Sequence, residues 1–141
     1  MFEHKQTLGY VSAQLARQLT NKLREGLIPL GLLPAQFTAL IEISAAEGLT
    51  QKDLVERLGL EQPGVARTLG GLEAMGWIVR RGGRNGRSPG LFLTQRTRET
   101  LPRAAQIAEA IDRRAAAELT RTERALLLDQ LGELVAASEE R

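Results

Sequence analysis

No cysteine occurs among the 141 residues, which removes disulfides, thiolate catalysis and thiol redox sensing together. The single histidine, His4, stands near the start and cannot anchor a zinc site alone. Aromatic side chains are confined to Phe2, Tyr10, Phe37, Trp77 and Phe92, too few to build a stacking platform for single-stranded nucleic acid. Aspartate is scarce as well, with only Asp53, Asp112 and Asp129. Neither a nucleophile with its base nor a metal cluster assembles from this inventory, so catalysis is not expected and no cofactor is implied. No stretch approaches the roughly 18 uninterrupted apolar residues of a membrane span. The opening MFEHKQTLGY carries charges where a secretion signal needs its apolar run, so a cytoplasmic location without a membrane partner is expected.

What is present fits one globular domain. Apolar residues make up 43% and charged residues 26%, an ordinary mix, and the length allows one substantial core. The formal net charge of +2 conceals an asymmetry. Between Arg57 and Arg98 eight arginines face only Glu61 and Glu73, a net +6 that leaves −4 for the rest of the chain. Such separation points to one face that meets a polyanion. An arginine-rich solvated surface is the other reading of the same composition.

Apolar spacing sets out the elements. Leu8, Val11, Leu15, Leu19 and Leu23 recur at threes and fours and predict a helix over 7–27. The segment GLIPLGLLP interrupts it, and Pro34 suits the first turn of a second helix whose inner face is read as Phe37, Leu40, Ile41 and Ser44. Thr50 opens a third helix with TQKD, a capping box in which Asp53 takes the place of the commoner Glu. Leu54, Val55 and Leu58 supply its apolar side and Gly59 its stop. A fourth helix follows at once, with Val65, Leu69 and Leu72 inside. Two short helices joined by a glycine turn form a helix-turn-helix candidate.

WIVRR then reads as a strand and LFLT as its returning partner, joined by RGGRNGRSPG. Asn85-Gly86 marks a tight turn whose two central residues need positive φ. Beyond Thr94 the chain returns to helix, with Leu101, Ala104, Ala108, Ile111, Ala115 and Leu119 on one side and Pro102 expected to bend it or mark its start. TRTE at 120–123 is a second capping box, ahead of Leu127, Leu131 and Leu134. The fold class is therefore mainly α with a small β-hairpin, a winged helix-turn-helix flanked by N- and C-terminal helices. Those flanking stripes exceed what a small core can absorb, so a symmetric dimer is expected.

The run LGLLPAQFTALIEISAAEGLTQKDLVERLGLEQPGVARTLGGLEAMGWIVRR, with its wing and LFLT, resembles the MarR family of bacterial transcription regulators. Its strongest elements are L-T-Q-K-D-L, Q-P-x-V-x-R-x-L, L-E-x-x-G-W-I and the wing arginine before L-x-L-T. The resemblance spans nearly the whole chain as a single domain over 1–141. It implies a winged-helix DNA-binding part over 32–98 and dimerisation helices over 5–28 and 99–141. It further implies a homodimer on pseudo-palindromic double-stranded DNA, commonly a repressor, with many members responding to a small aromatic or lipophilic effector. No motif for that effector carries over; Tyr10, Arg17 and Phe37 lie on elements that line the family's pocket but are read as packing or surface.

The contact residues follow from chemistry and from the match. On the fourth helix Gly64, Arg67, Thr68 and Gly71 lie opposite the core positions, with Gln62 at the start. Arg67 can reach a guanine edge or a phosphate, or can pair with Glu61 and read nothing; Gln62 can pair with adenine and Thr68 does either job more weakly. Gln51, opening the third helix, is a candidate phosphate contact while Thr50 caps. The wing holds four arginines in the eight residues from Arg80 to Arg87, and arginines at a hairpin tip suit a narrow minor groove. By resemblance Arg87 matches the arginine that enters it, Arg84 stands beside it, and Asn85 replaces the family's acidic partner. Trp77 is assigned to packing.

Gly64, Gly70 and Gly71 depart from the family, which carries hydroxyl, polar or charged residues there. Each glycine costs a helix about 1 kcal/mol relative to alanine. Either the helix backbone approaches DNA more closely or base-specific contacts have been lost. The reading favoured is a DNA binder that relies on shape and phosphate contacts. The alternative is a winged-helix protein-interaction module whose DNA specificity has weakened.

Overall fold

The computed structural model describes residues 1–139. Its elements run in the expected order: α1 (Leu8–Leu27), α2 (Pro34–Ala45), α3 (Gln51–Leu58), α4 (Gln62–Ala74), β1 (Ile78–Gly82), β2 (Pro89–Leu93), α5 (Gln95–Ala115) and α6 (Arg121–Glu139). A single turn of 3-10 helix precedes α1 at His4–Gln6, and another, Ile28–Leu30, closes it before Gly31 turns left-handed at φ 83°.

Local chemistry accounts for the boundaries. Thr7 caps α1 by accepting the Tyr10 N–H, and Pro34 starts α2 while the Gln36 side chain accepts the Leu33 N–H. Both expected capping boxes form. Thr50 and Asp53 exchange bonds of 2.9 and 3.2 Å at the start of α3, and Thr120 and Glu123 do the same at α6. Gly59 ends α3 at φ 63°, the left-handed geometry that costs glycine nothing.

The hairpin is antiparallel, pairing Ile78 with Leu93, Arg80 with Leu91 and Gly82 with Pro89. Leu91 and Leu93 point inward while Phe92 between them is half-exposed, the two-residue period of a half-buried strand. A third, very short pairing widens it: the Gly48 N–H donates to the Leu91 carbonyl and the Leu91 N–H to that of Leu49, both at 2.8 Å. A Cβ at Gly90 would lie 2.7 Å from the Gly48 oxygen, so the crossing tolerates only glycine there.

One core joins the elements. Leu27, Leu40, Ile43, Leu54, Leu69, Leu72 and Trp77 are fully enclosed. On α2 the inner face differs from expectation: Ile43 and Ala39 are buried beside Phe37 and Leu40, whereas Ile41 and Ser44 are exposed. Helix α5 starts at Gln95 and runs through Pro102 without interruption, so the proline marks no start. It ends at Ala115, short of Leu119. Helices α1 and α5 cross closely at Gly26, where a Cβ would meet the Ile107 side chain at 2.6 Å. Helix α6 has no buried residue, and among the described residues no single helix is long and apolar enough to cross a membrane.

Candidate nucleic-acid interface

Three elements carry the residues singled out from the sequence: the start of α3, the outward side of α4 and the hairpin tip. On α4 the inward positions are Val65, Leu69 and Leu72, as expected. Gln62, Gly64 and Arg67 are exposed and Thr68 is half-buried. Gly71 departs from the expected outward face, since it is half-buried against α2 with a virtual Cβ 3.5 Å from the Gln36 amide. Gly70 takes the open position instead, with nothing within 4 Å of a virtual Cβ, and Gly64 is equally open.

At the hairpin tip Asn85 and Gly86 take φ of 58° and 77°, and the Arg87 N–H closes the turn onto the Arg84 carbonyl at 3.2 Å. Asn85 thus has a backbone reason to be present, because asparagine enters the left-handed region more easily than most side chains. The turn holds Arg84 and Arg87 exposed on either side of it. Below it, Gly48, Phe92 and Arg81 join Arg84 and Arg87 around a concavity of about 600 Å³.

Pairing sorts the eight arginines of the basic segment. Arg57, Arg80 and Arg98 form ion pairs with Glu42, Glu73 and Glu47. Arg81 lies over the Phe92 ring at 5.3 Å. Arg96 lies 3.8 Å from the centre of the Trp77 ring and donates to the Met75 carbonyl at 2.5 Å. Arg67, Arg84 and Arg87 remain, and among the described residues they enter no ion pair. Arg67 is therefore not tied to Glu61. The segment's arginines that neither a carboxylate nor a ring engages thus sit on the outward side of α4 and on the hairpin tip.

Trp77 is fully buried and packs at the foot of the hairpin, with its indole Nε1 lacking a partner among the described residues. Thr97, also buried, donates to the Trp77 carbonyl at 2.5 Å, and Thr94 donates to that of Gly76 at 2.7 Å. Together they bind the start of α5 to the turn that ends α4. Sequence spacing did not single out Arg80, whose Nη1 donates to the Gln51 side-chain oxygen at 3.2 Å across 29 residues. Its proximity to Arg81 in a basic run concealed that separate role. Gln51 is half-buried as a result.

Comparison with known proteins places this geometry. A family model described as MarR family matches residues 30–88. YwoH, an uncharacterized HTH-type transcriptional regulator of Bacillus subtilis, is 37% identical over 82 residues, 58% of this chain and 60% of that protein. The chain spans between 48% and 60% of the length of the Bacillus relatives it matches. The HTH-type transcriptional repressor Mb2911 of Mycobacterium bovis is 31% identical over 80% of this chain and 82% of its own. Among solved structures, the repressor CouR on a 23-mer DNA duplex superposes with a TM-score of 0.86 at 30% identity, covering 96% of each chain. CouR bound to p-coumaroyl-CoA superposes at 0.84 with 29% identity over the same shares. With the winged helix, its capped helices and the matching relatives in hand, the chain belongs to the MarR family of transcriptional regulators.

Proposed function

We propose that this regulator is a cytoplasmic homodimeric repressor that binds a pseudo-palindromic operator in double-stranded DNA. Residues 32–98 form its DNA-reading part, and 5–28 with 99–141 its dimerisation helices. Helix α4 enters the major groove with Gln62, Arg67 and Thr68 towards base edges or phosphates and with Gly64 letting the backbone come close. Arg84 and Arg87 take the minor groove at the hairpin tip, and Gln51 donates to a phosphate. The observation that carries this reading is that, of the basic segment's arginines, only Arg67, Arg84 and Arg87 have neither a carboxylate nor an aromatic ring as partner among the described residues. A merely solvated surface has no reason to engage the other five arginines and leave these three.

We further infer a small aromatic or lipophilic effector. The groove of about 620 Å³ between α1 and α5 is lined by Ile107, Ala110 and Ile111 together with Lys22, Arg103 and Arg114, three cations against the one carboxylate of Glu25. That lining suits an apolar body with an anionic end, the chemistry of the acyl thioester that CouR binds.

A salt-titrated affinity for the gene's own upstream DNA, set against scrambled DNA of equal length, tests both readings. Phosphate contacts from Arg67, Arg84 and Arg87 on each protomer predict a log–log salt slope of about −5 for the dimer. Arg87→Ala should weaken binding and reduce that slope by about one per protomer. Addition of p-coumaroyl-CoA to the same titration should lower the affinity; unchanged binding would remove that class of effector. Weak and equal binding to both DNAs would favour the protein-interaction module instead.

A further inference from the structure

Arg80 belongs to the basic run by sequence but not by environment. It stands on β1 opposite Leu91, and its side chain is about one-quarter exposed. Its Nε donates to Glu73 near the end of α4 at 3.3 Å, and its Nη1 to the Gln51 oxygen at the start of α3 at 3.2 Å. One guanidinium therefore ties three elements that each carry part of the DNA-facing surface. Glu73 neutralises its charge, so Arg80 is poorly placed to act as a phosphate clamp itself.

The contact with Gln51 has a chemical consequence. A glutamine amide offers an acceptor on one side and two donors on the other, and nothing in the residue alone decides which faces outward. A guanidinium only donates, so the oxygen of Gln51 must face Arg80 and its Nε2 must face away. That nitrogen has no hydrogen-bond partner among the described residues. The capping groups of this turn are engaged with each other, since Asp53 accepts from the Thr50 N–H and Thr50 Oγ1 from the Asp53 N–H, which leaves the first backbone N–H groups of α3 open on the same side. The outcome is an amide donor with a fixed orientation beside a helix start that carries one carboxylate, Asp53.

We propose that Arg80 is a positioning residue for DNA binding, which orients Gln51 as a donor to a backbone phosphate and holds α3, α4 and the wing base in register. This deepens the DNA-binding reading above and rests on it. Because Gln51 is neutral, its contact contributes affinity without releasing a counterion, and the two effects can be separated.

The test is a double-mutant cycle on operator affinity in the full-length protein, with salt slope and melting temperature read in parallel. Gln51→Ala and Arg80→Met should each weaken binding by about tenfold, and the double variant should be no weaker than either single one. Salt slopes should match the parent. Gln51→Glu keeps an acceptor towards Arg80, so its melting temperature should not fall, yet its second oxygen faces the phosphate and DNA binding should drop below that of Gln51→Ala.

Additive losses from Arg80 and Gln51 would overturn the proposal. So would a slope reduced by about one per protomer in Arg80→Met, which marks a direct phosphate contact. A lower melting temperature with unchanged affinity would reduce Arg80 to a structural tie and overturn it too. Should Arg80→Met fail to fold, Gln51→Glu decides: parental affinity in that variant sinks the idea. Arg87→Ala separates the two levels. If it weakens binding while the cycle is additive, only the positioning role fails; if the parent itself binds no DNA, both readings fail.

Discussion

Gly64 and Gly70 are glycines that the protein's own packing does not require. Neither has a positive φ, and a Cβ at either would meet nothing within 4 Å. Gly26 and Gly90 are the contrast, since added carbons there would lie 2.6 Å from Ile107 and 2.7 Å from the Gly48 oxygen. A residue that costs helix stability without relieving any internal clash has its explanation outside the chain. The double variant Gly64→Ala with Gly70→Ala should therefore gain about 1–2 kcal/mol of stability and melt several degrees higher. On the close-approach reading it should also bind operator DNA more weakly, because two methyl groups now stand between the helix backbone and the groove. Thermal melts and the salt-titrated assay measure both. Higher stability with unaltered affinity would show that these positions lost their contacts instead.

At the scale of elements, legibility in the sequence tracks how local the cause is. Capping boxes at Thr50 and Thr120, the stop at Gly59 and the Asn85-Gly86 turn act within four residues, and all form as read. The inner face of α2 differs from what spacing predicts because that helix meets neighbours on several sides, so Phe37, Leu40, Ile41 and Ile43 offer two competing stripes. The pairing of Gly48 and Leu49 with Leu91 is too short to show a period. The Arg80–Gln51 contact and the Glu47 tie join residues far apart in sequence, where spacing has no signal. Glu47 accepts from the Leu93 N–H at 2.9 Å and from Arg98 at 2.7 Å, fastening the α2–α3 loop to β2 and α5. The Arg98 hydrogen bond, then the Leu93 N–H, hold its carboxyl below the ordinary value of 4.5. A depressed folded value means the tie stabilises fully above that ordinary value and is lost as pH falls through the folded one. Asp53 and Glu123 are lowered in the same direction by their caps. Melting temperature should fall as pH drops below about 4.5, and Glu47→Gln should flatten part of that decline while lowering stability at neutral pH. A pH profile identical to the parent's would show that Glu47 holds nothing together.

The whole molecule has more apolar surface than one copy can use. Helix α6 exposes Leu126, Leu127, Leu128, Leu131, Leu134 and Val135, and α1 exposes Leu8, Val11 and Leu15. A helix apolar on more than one face is stable only when something covers it. Helix α6 adds no residue to the core that encloses Trp77, and α1 joins it only towards its end, through Leu27 and the neighbouring Leu23. A second copy offers the same stripes, and a two-fold contact lets each α6 cover the other's surroundings without leaving an open end. Leu127 and Leu131 are already more than half covered within the chain, so enclosing the rest of each contributes about 1 kcal/mol, and the cost of burying two carboxylates in their place should undo the association. Leu127→Glu with Leu131→Glu should leave the core folded, since neither residue is buried within the chain, but should sediment as a monomer where the parent is a dimer. Its affinity for a two-half-site operator should fall steeply, because each half-site contact loses the partner that holds it at the DNA. Its affinity for an isolated half-site should change little. A parent that sediments as a monomer at DNA-binding concentrations, or a variant of unchanged mass, would leave these leucines to another partner.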